Sequence, residues 1–402
     1  MKNMSHSRKK IAKNRKIVNR KIREEFTLKN ATLYGGYNLY SDTVARNGLD
    51  RLLEEQFGGC KAWWATYNMP TILRILIDGY ALGLERIWHF KEIKNDPLLA
   101  AKHDLKSLPD QSVLRKDLIR HFQCEQDVNR LRRIKASNAR GVIKRLNGPL
   151  VLEFDSTAET VYGRQKGARV GYNPDKRGRA SYQPQLCREG RMRLNLWSRL
   201  RPGDTVGSSD FVDFVEECWE VIPKRFKRRR RGGLCDILAR ADSGHENDES
   251  LRWFEDHGVG YVVKMTMKGN VLGRVWNIPN RAYRKVETEA GTIELCSMEF
   301  QRDKWSQPRR VVVVRWPNET DRAQTKLFDI LGYTYAIFVT NLKWDEQDIY
   351  RFYDKRADVE NHILEAKADF GIGHIPTGEF YANAADLELR LLALNQLSAF
   401  LS

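Results

Sequence analysis

Tyr353, Arg356, Glu360 and Lys367 lie in a run with no Gly or Pro. At about 100° per residue they fall within an arc of about 60° on a helix. One stripe then carries a phenol, a guanidinium, a carboxylate and an ammonium. Glu365 lies about 120° further round and is off that stripe. Beside it Phe352, Val359, Ile363, Ala366 and Phe370 form an apolar stripe of the kind that docks a helix on a sheet. Docking would hold the polar groups at the sheet's margin. An ordinary amphipathic helix would carry the same pattern, so the chemistry depends on what else reaches that margin.

Two aspartates are placed to do so. Gly148-Pro149 is a turn signal, and the mostly apolar run Leu150 to Phe154 after it predicts a buried strand ending at Asp155. A second predicted strand, Ile237 to Ala241, ends at Asp242. A single Asp at a strand end is more often a turn former or a helix cap. If the two strands lie side by side and the helix packs across them, however, Asp155, Asp242 and Glu360 converge. Three carboxylates offer all-oxygen ligation, which suits Mg²⁺ or Mn²⁺ rather than zinc. Two such ions about 3.5–4 Å apart can serve both the attacking and the leaving oxygen of an in-line displacement at phosphorus.

Composition points to the same substrate. Sixty-nine Lys and Arg against 52 Asp and Glu leave a net charge of +17, and an excess of that size favours a polyanionic partner, nucleic acid first. The basic residues recur at 1–23, 115–145, 164–179 and 224–231 rather than in one tail. The six cysteines are scattered without a metal-ligand spacing and read as reduced thiols. No phosphate-cradling GxxxxGK[ST] loop occurs, so no nucleotide cofactor is expected. No stretch approaches the ~20 apolar residues of a membrane span. A cytoplasmic, nucleoid-associated location is expected.

Along the chain, 1–29 reads as a basic arm and 30–147 as a helical DNA-binding domain. Its third helical region, about 111–136, presents Arg115, Lys116, Arg120, Arg130, Arg132, Arg133 and Lys135 as a basic surface. Residues 148–257 carry the two aspartate strands. The loop after Asp155 is basic, with Arg164, Lys166, Arg169, Lys176, Arg177 and Arg179, and could track a DNA backbone. Residues 258–340 read as a β-rich insertion and return strand, and 341–402 as C-terminal helices, the last of them apolar from Leu387 to Leu401.

The spacing Tyr353-x2-Arg356-x3-Glu360-x6-Lys367 resembles the Tyr-Arg-Glu-Lys signature of the DDE transposases of bacterial insertion sequences. The run from Asp155-Ser156-Thr157 through Gly171-Tyr172-Asn173-Pro174 to Ser181-Tyr182, with Arg240-Ala241-Asp242-Ser243-Gly244, looks more narrowly like the insertion-sequence family numbered thirteen-eighty. The resemblance implies an α/β fold with an RNase H-like catalytic core interrupted by a mostly β insertion, and a helical N-terminal DNA-binding domain. It implies that Asp155, Asp242 and Glu360 bind two Mg²⁺ (or Mn²⁺) ions while Tyr353, Arg356 and Lys367 grip phosphates beside the cleavage point. The activity implied is cutting double-stranded DNA at terminal inverted repeats and joining the ends to target DNA, by a homodimer in a synaptic complex. In relatives that pass through a hairpin, an aromatic of the insertion stacks on a flipped base; Trp276, Trp305 and Trp316 are the candidates here. His245 stands where the family commonly has an aromatic. A tyrosine recombinase would need a His-x-x-Arg that is absent. A nuclease or resolvase without strand transfer, and a truncated, non-catalytic repressor, are the remaining alternatives.

Overall fold

The computed structural model describes residues 31–174, 176–205, 210–268, 270–288, 291–317, 332–356 and 364–401; the basic arm 1–29 and Glu360 lie outside them. The N-terminal part is helical: α1 (Tyr37–Arg46), α2 (Leu49–Phe57), α3 (Met69–Ala81), α4 (Gln111–His121) and α5 (Glu125–Ile143). Side-chain caps start several of these helices. The Asn68 side chain accepts the Thr71 N–H at α3, with Pro70 in the first turn, and Asp110 accepts the Ser112 N–H at α4. The helical run expected at 111–136 is two helices. Phe122 leaves helical geometry, and Asp127 turns back to accept the backbone N–H of Gln123 and of Cys124, restarting the chain as α5.

The strands are β1 (Leu150–Ser156), β2 (Glu159–Thr160), β3 (Arg169–Val170), β4 (Ala180–Tyr182), β5 (Gln185–Glu189), β6 (Leu194–Arg199), β7 (Ile237–Ala241), β8 (Gly260–Lys264), β9 (Arg284–Thr288), β10 (Gly291–Phe300), β11 (Arg309–Pro317) and β12 (Tyr333–Thr340). Nine of them make one sheet in the order β6-β5-β1-β7-β8-β12-β11-β10-β9. The β6-β5-β1 side is antiparallel, β1-β7-β8 is parallel, and the sheet is antiparallel again from β12 outward. Parallel neighbours need crossovers, which contain α6 (Phe211–Val221) and α7 (Asp248–Asp256). The strands of the segment between Asp242 and Glu360 thus continue the same sheet, with β9 and a short helix, Asn270–Trp276, that the sequence pattern did not suggest. Strands β2, β4 and β3 form a small separate sheet within the basic loop after Asp155.

Alternation along β1 sorts its side chains between two layers. Leu150, Leu152 and Phe154 enter the core under α6 and α7, where the Phe154 ring meets Phe211 at 5.2 Å. Val151 packs in the opposite core with Val262, Val312, Phe338 and Ile349, under α8 (Glu346–Asp354). Glu153 and Asp155 follow Val151 on that second face.

The last helix, α9 (Phe380–Leu401), begins earlier than its apolar run suggested and is buried over most of its length. It packs on α3, α5 and β6, so it joins the helical part to the sheet. Asn383, Asp386, Glu388, Arg390, Asn395 and Gln396 are all buried on it. Glu388 receives Lys135 Nζ at 2.5 Å, the Ser198 hydroxyl at 2.6 Å and Arg132 Nε at 3.3 Å. Arg132 and Lys135, expected on a basic outer surface, are therefore core residues, 1% and 0% exposed; burial is possible because two carboxylates, Glu388 between them and Glu125 on Arg132, neutralise them. Among the described residues no helix is long and apolar enough to cross a membrane.

Removing one member of such a cluster strands the others. Glu388→Ala is expected to lower the unfolding free energy by about 3–5 kcal/mol. Glu379→Ala, which breaks the exposed pair with Lys166, should cost less than about 1 kcal/mol. Urea denaturation of both variants checks the contrast.

Candidate active site

The parallel pairing of β1 and β7 runs Leu150↔Ile237 through Phe154↔Ala241, so the next residues, Asp155 still paired with Leu186 of β5 and Asp242 just past the end of β7, follow side by side. The two expected strand-end carboxylates are brought together. Asp242 caps the short 3₁₀ turn Ser243–His245, its Oδ1 accepting the Gly244 N–H at 3.0 Å. Behind it His245 is buried, its ring 4.1 Å from that of Phe211 and its Nε2 3.6 Å from Asp242 Oδ1. Burial drives its pKa down to about 4, so this imidazole is neutral at physiological pH. Asp155 Oδ1 accepts the Ser156 N–H at 2.8 Å. Burial raises the pKa of Asp155, Arg356 opposes the rise, and the neighbouring charge of Asp242 adds to it.

Beneath the pair lies a clamp of charges within the strands. Glu153 stands two residues before Asp155, and Arg240 two before Asp242; in parallel register they face each other and form an ion pair. Arg188 of β5 approaches Glu153 from the other side at 3.8 Å. Arg240 also donates to the Phe352 carbonyl at 2.6 Å, where the carbonyls at the end of a helix call for donors. One arginine thus fixes β1, β7 and the end of α8 relative to one another.

The polar stripe expected on one continuous helix is divided. Helix α8 stops at Asp354, and Lys355 and Arg356 form a turn, with the Arg356 N–H bonded to the Tyr353 carbonyl at 2.7 Å. Arg356 is drawn down onto β1: its Nη2 lies 3.3 Å from Asp155 Oδ2 and 3.4 Å from the Phe154 carbonyl. Tyr353 instead packs its ring on Phe338 of β12 at 4.6 Å. Residues 364–368 are helical again, and Lys367 Nζ donates to the Ala158 carbonyl at 3.4 Å. The expected apolar docking stripe is divided as well. Phe352 joins the core under α8, whereas Ala366 and Phe370 join the core of the N-terminal helices; Val359 and Ile363 lie outside the described residues.

Arg164, Lys166, Arg169, Lys176, Arg177 and Arg179 are all exposed around the small β2-β4-β3 sheet. Of the tryptophans singled out, Trp305 is core, its indole donating to the Glu246 carbonyl at 3.0 Å, Trp316 is half-buried, and Trp276 is half exposed. Glu159, which sequence reading passed over, is buried beside the same strand end. Its Oε1 has no hydrogen-bond partner among the described residues, and burial lifts its pKa to about 8 against the pull of Lys367. The Glu153–Arg240 pair did leave a signal, opposite charges at equal offsets from the two aspartates in otherwise apolar strands.

Among the described residues no three His, Cys, Asp or Glu side chains cluster to hold a metal. Asp155 and Asp242 nonetheless fit a hard divalent cation. They supply oxygen only, and Asp155 is pushed toward its protonated form partly by its neighbour, a penalty that a cation between them would relieve.

A family model described as transposase DDE domain group 1 matches residues 14–402, and the chain belongs to that family of DDE transposases. Among solved structures, the cryo-EM structure of the piggyBac transposase synaptic complex with hairpin DNA is similar, with a TM-score of 0.43 and 12% identity over 95% of this chain and 69% of that one. No curated protein matches the sequence.

Glu159 generates a pH prediction. A carboxyl whose folded pKa is raised contributes stability that is complete below its unfolded value and lost as pH climbs through the folded one. Stability should therefore fall between pH 4.5 and about 8, by up to about 5 kcal/mol. In Glu159→Gln that descending limb should flatten, as read from urea midpoints across the range.

Proposed function

We propose that the chain binds the terminal inverted repeats of an insertion sequence, cleaves there with divalent metal, and transfers the strand to target DNA. The observation that carries this reading is the delivery of Asp155 and Asp242 from neighbouring parallel strands with Arg356 seated on one of them. Glu360 completes the proposed set from outside the described residues. The β6-β5-β1-β7-β8 half of the sheet, three antiparallel strands continued by two parallel ones, supports an RNase H-like core; the helices before β1 would form the DNA-binding domain. The spacing from Tyr353 to Lys367 supports the Tyr-Arg-Glu-Lys group and, with the run after Asp155, the insertion-sequence family numbered thirteen-eighty.

Asp155, Asp242 and Glu360 would hold two Mg²⁺ or Mn²⁺ ions, which when bound polarise the attacking and leaving oxygens. The protein's own part is placement and charge. Arg356 and Lys367 stand on β1 and on the carbonyl just beyond it, where two cations offset the charge of a phosphodiester laid across the strand end. The Arg240 clamp keeps the two aspartates in register. The exposed cations at 164–179 extend that charge away from the site along a DNA backbone. Exchange of one phosphodiester for another is nearly isoenergetic, so strand transfer needs no nucleotide hydrolysis. Water would attack first and the freed 3′-hydroxyl second. The active form would be a homodimer pairing two ends, on the nucleoid in the cytoplasm.

Asp155→Ala, Asp242→Ala and Glu360→Ala should each keep binding to a duplex of the terminal sequence and lose Mg²⁺-dependent cleavage, with affinity for the duplex falling steeply as salt rises. Cleavage by any of the three at the wild-type rate would remove that residue from the metal set, and a flat salt response would remove DNA as the partner.

A further inference from the structure

The end of the sheet opposite Asp155 carries a concentration of positive charge that the cleavage reading leaves unused. Strand β1 begins there at Leu150 and β7 begins beside it at Ile237. The hairpin between β5 and β6 turns at the same end, because Glu189 pairs with Leu152 and Leu194. The basic run 224–231 comes down to this end just before β7. Hydrogen bonds gather the cations here. Arg225 donates to the Ile143 and Leu146 carbonyls where α5 ends, Arg229 to the Asp256 carbonyl, and Arg191 of the hairpin to the Asn147 and Pro149 carbonyls. Those acceptors are carbonyls rather than carboxylates, so the charge is collected without being neutralised. Arg230 is paired with Asp236, but Lys144, Arg145, Lys224, Arg228 and Arg231 are all exposed and form no ion pair among the described residues. Crowding is felt at Lys227, whose pKa is held below the ordinary lysine value by burial, then by Arg140 and, against the pull of Glu220, by Lys224.

We propose that this end of the sheet binds the phosphate backbone of a second DNA duplex, separate from the one at Asp155. Its five unpaired cations sit on turns and loops, with no helix offered to a groove, so they reach phosphates and read no sequence. Geometry decides between one duplex and two. Leu150 and Asp155 stand at opposite ends of β1, about 17 Å apart at about 3.3 Å per residue, and the two ends face opposite ways. One duplex touching both would have to turn back round the sheet. Bending a site of roughly 20–30 base pairs by 40–90° already costs about 1–6 kcal/mol, whereas a second duplex needs no bend. A chain with two duplex surfaces can pass from one DNA to another without becoming free, which speeds a search for a rare terminal sequence. The inference rests on the transposase reading for DNA as the polyanion and adds a surface remote from the chemistry.

The test uses the full chain without divalent metal, so that nothing is cut, loaded with one equivalent of a duplex of the terminal sequence flanking its gene. A labelled duplex of unrelated sequence, about 20 base pairs or about 68 Å long, should still bind to it. Replacing Lys144, Arg145, Lys224, Arg228 and Arg231 together by Gln should weaken that binding by about tenfold or more and make its salt dependence shallower by up to about 4 in log–log slope. Exchanging Lys for Arg and Arg for Lys at the same five positions should leave it at the wild-type level. The labelled duplex should leave the wild type faster as unlabelled duplex is raised, and leave the Gln variant at a constant rate. With Mg²⁺ restored, both variants should cut the terminal duplex at the wild-type rate. Exclusion of the unrelated duplex from the loaded wild type, a Gln variant that binds it equally well, loss of cutting in the Gln variant, or a preference for single-stranded RNA over duplex of the same length would overturn the second surface alone. Failure of the wild type to bind any duplex would overturn the transposase reading with it.

Discussion

Glu388 is the residue on which the arrangement of this protein depends. It sits in the middle of α9 and receives Lys135, Arg132 and Ser198, so one carboxylate joins the helical part, the last helix and the outer strand β6. Lys135 is wholly buried, and burial lowers its pKa while Glu388 opposes the drop. A cation there is tolerable only with its counter-charge in place. Neighbouring contacts repeat the pattern along the helix: Asp386 holds Arg390 and accepts the Tyr80 hydroxyl, and Asn395 exchanges hydrogen bonds with the backbone of Asn195. A purely apolar helix could slide or rotate against its neighbours. These pairings accept one register.

The same logic, on a smaller scale, organises the end of the sheet that carries Asp155 and Asp242. Glu153 and Arg240 are a buried pair directly under Asp155 and Asp242, and Arg240 reaches on to the Phe352 carbonyl in the last turn of α8. The aspartates are set by strand pairing, and the strand pairing is reinforced by charge. Arg356 then enters from the turn after α8 and spends its guanidinium on Asp155 and the Phe154 carbonyl. Acidic groups that repel one another are held close by a scaffold of buried charges that are themselves paired.

Much of this was legible in the sequence where the cause is local. An apolar run closed by Asp marks a strand tip, and two such runs with a parallel partner suffice to bring Asp155 and Asp242 together. The start of β12 at Tyr333 and its end at Thr340 follow from its residues alone. What escaped was decided at long range. Arg132 and Lys135 look like surface cations, because the carboxylate that buries them lies some 250 residues away. The break after Asp354 is invisible to helix periodicity, since the run contains no breaker; Arg356 leaves the helical path toward a strand about 200 residues earlier. Strand β9 is mostly exposed and lacks an apolar pattern to announce it.

The separation of Lys135 from Glu388 also sets a clock. At about 5–20 residues per second, the ribosome needs roughly 13–50 s to make the 253 residues between the buried lysine and its carboxylate. During that interval α5 cannot bury Lys135 against its final partner, because Glu388 has not yet been made. The contacts of Lys135, Arg132 and Ser198 with Glu388 are therefore among the last that each newly made chain can form.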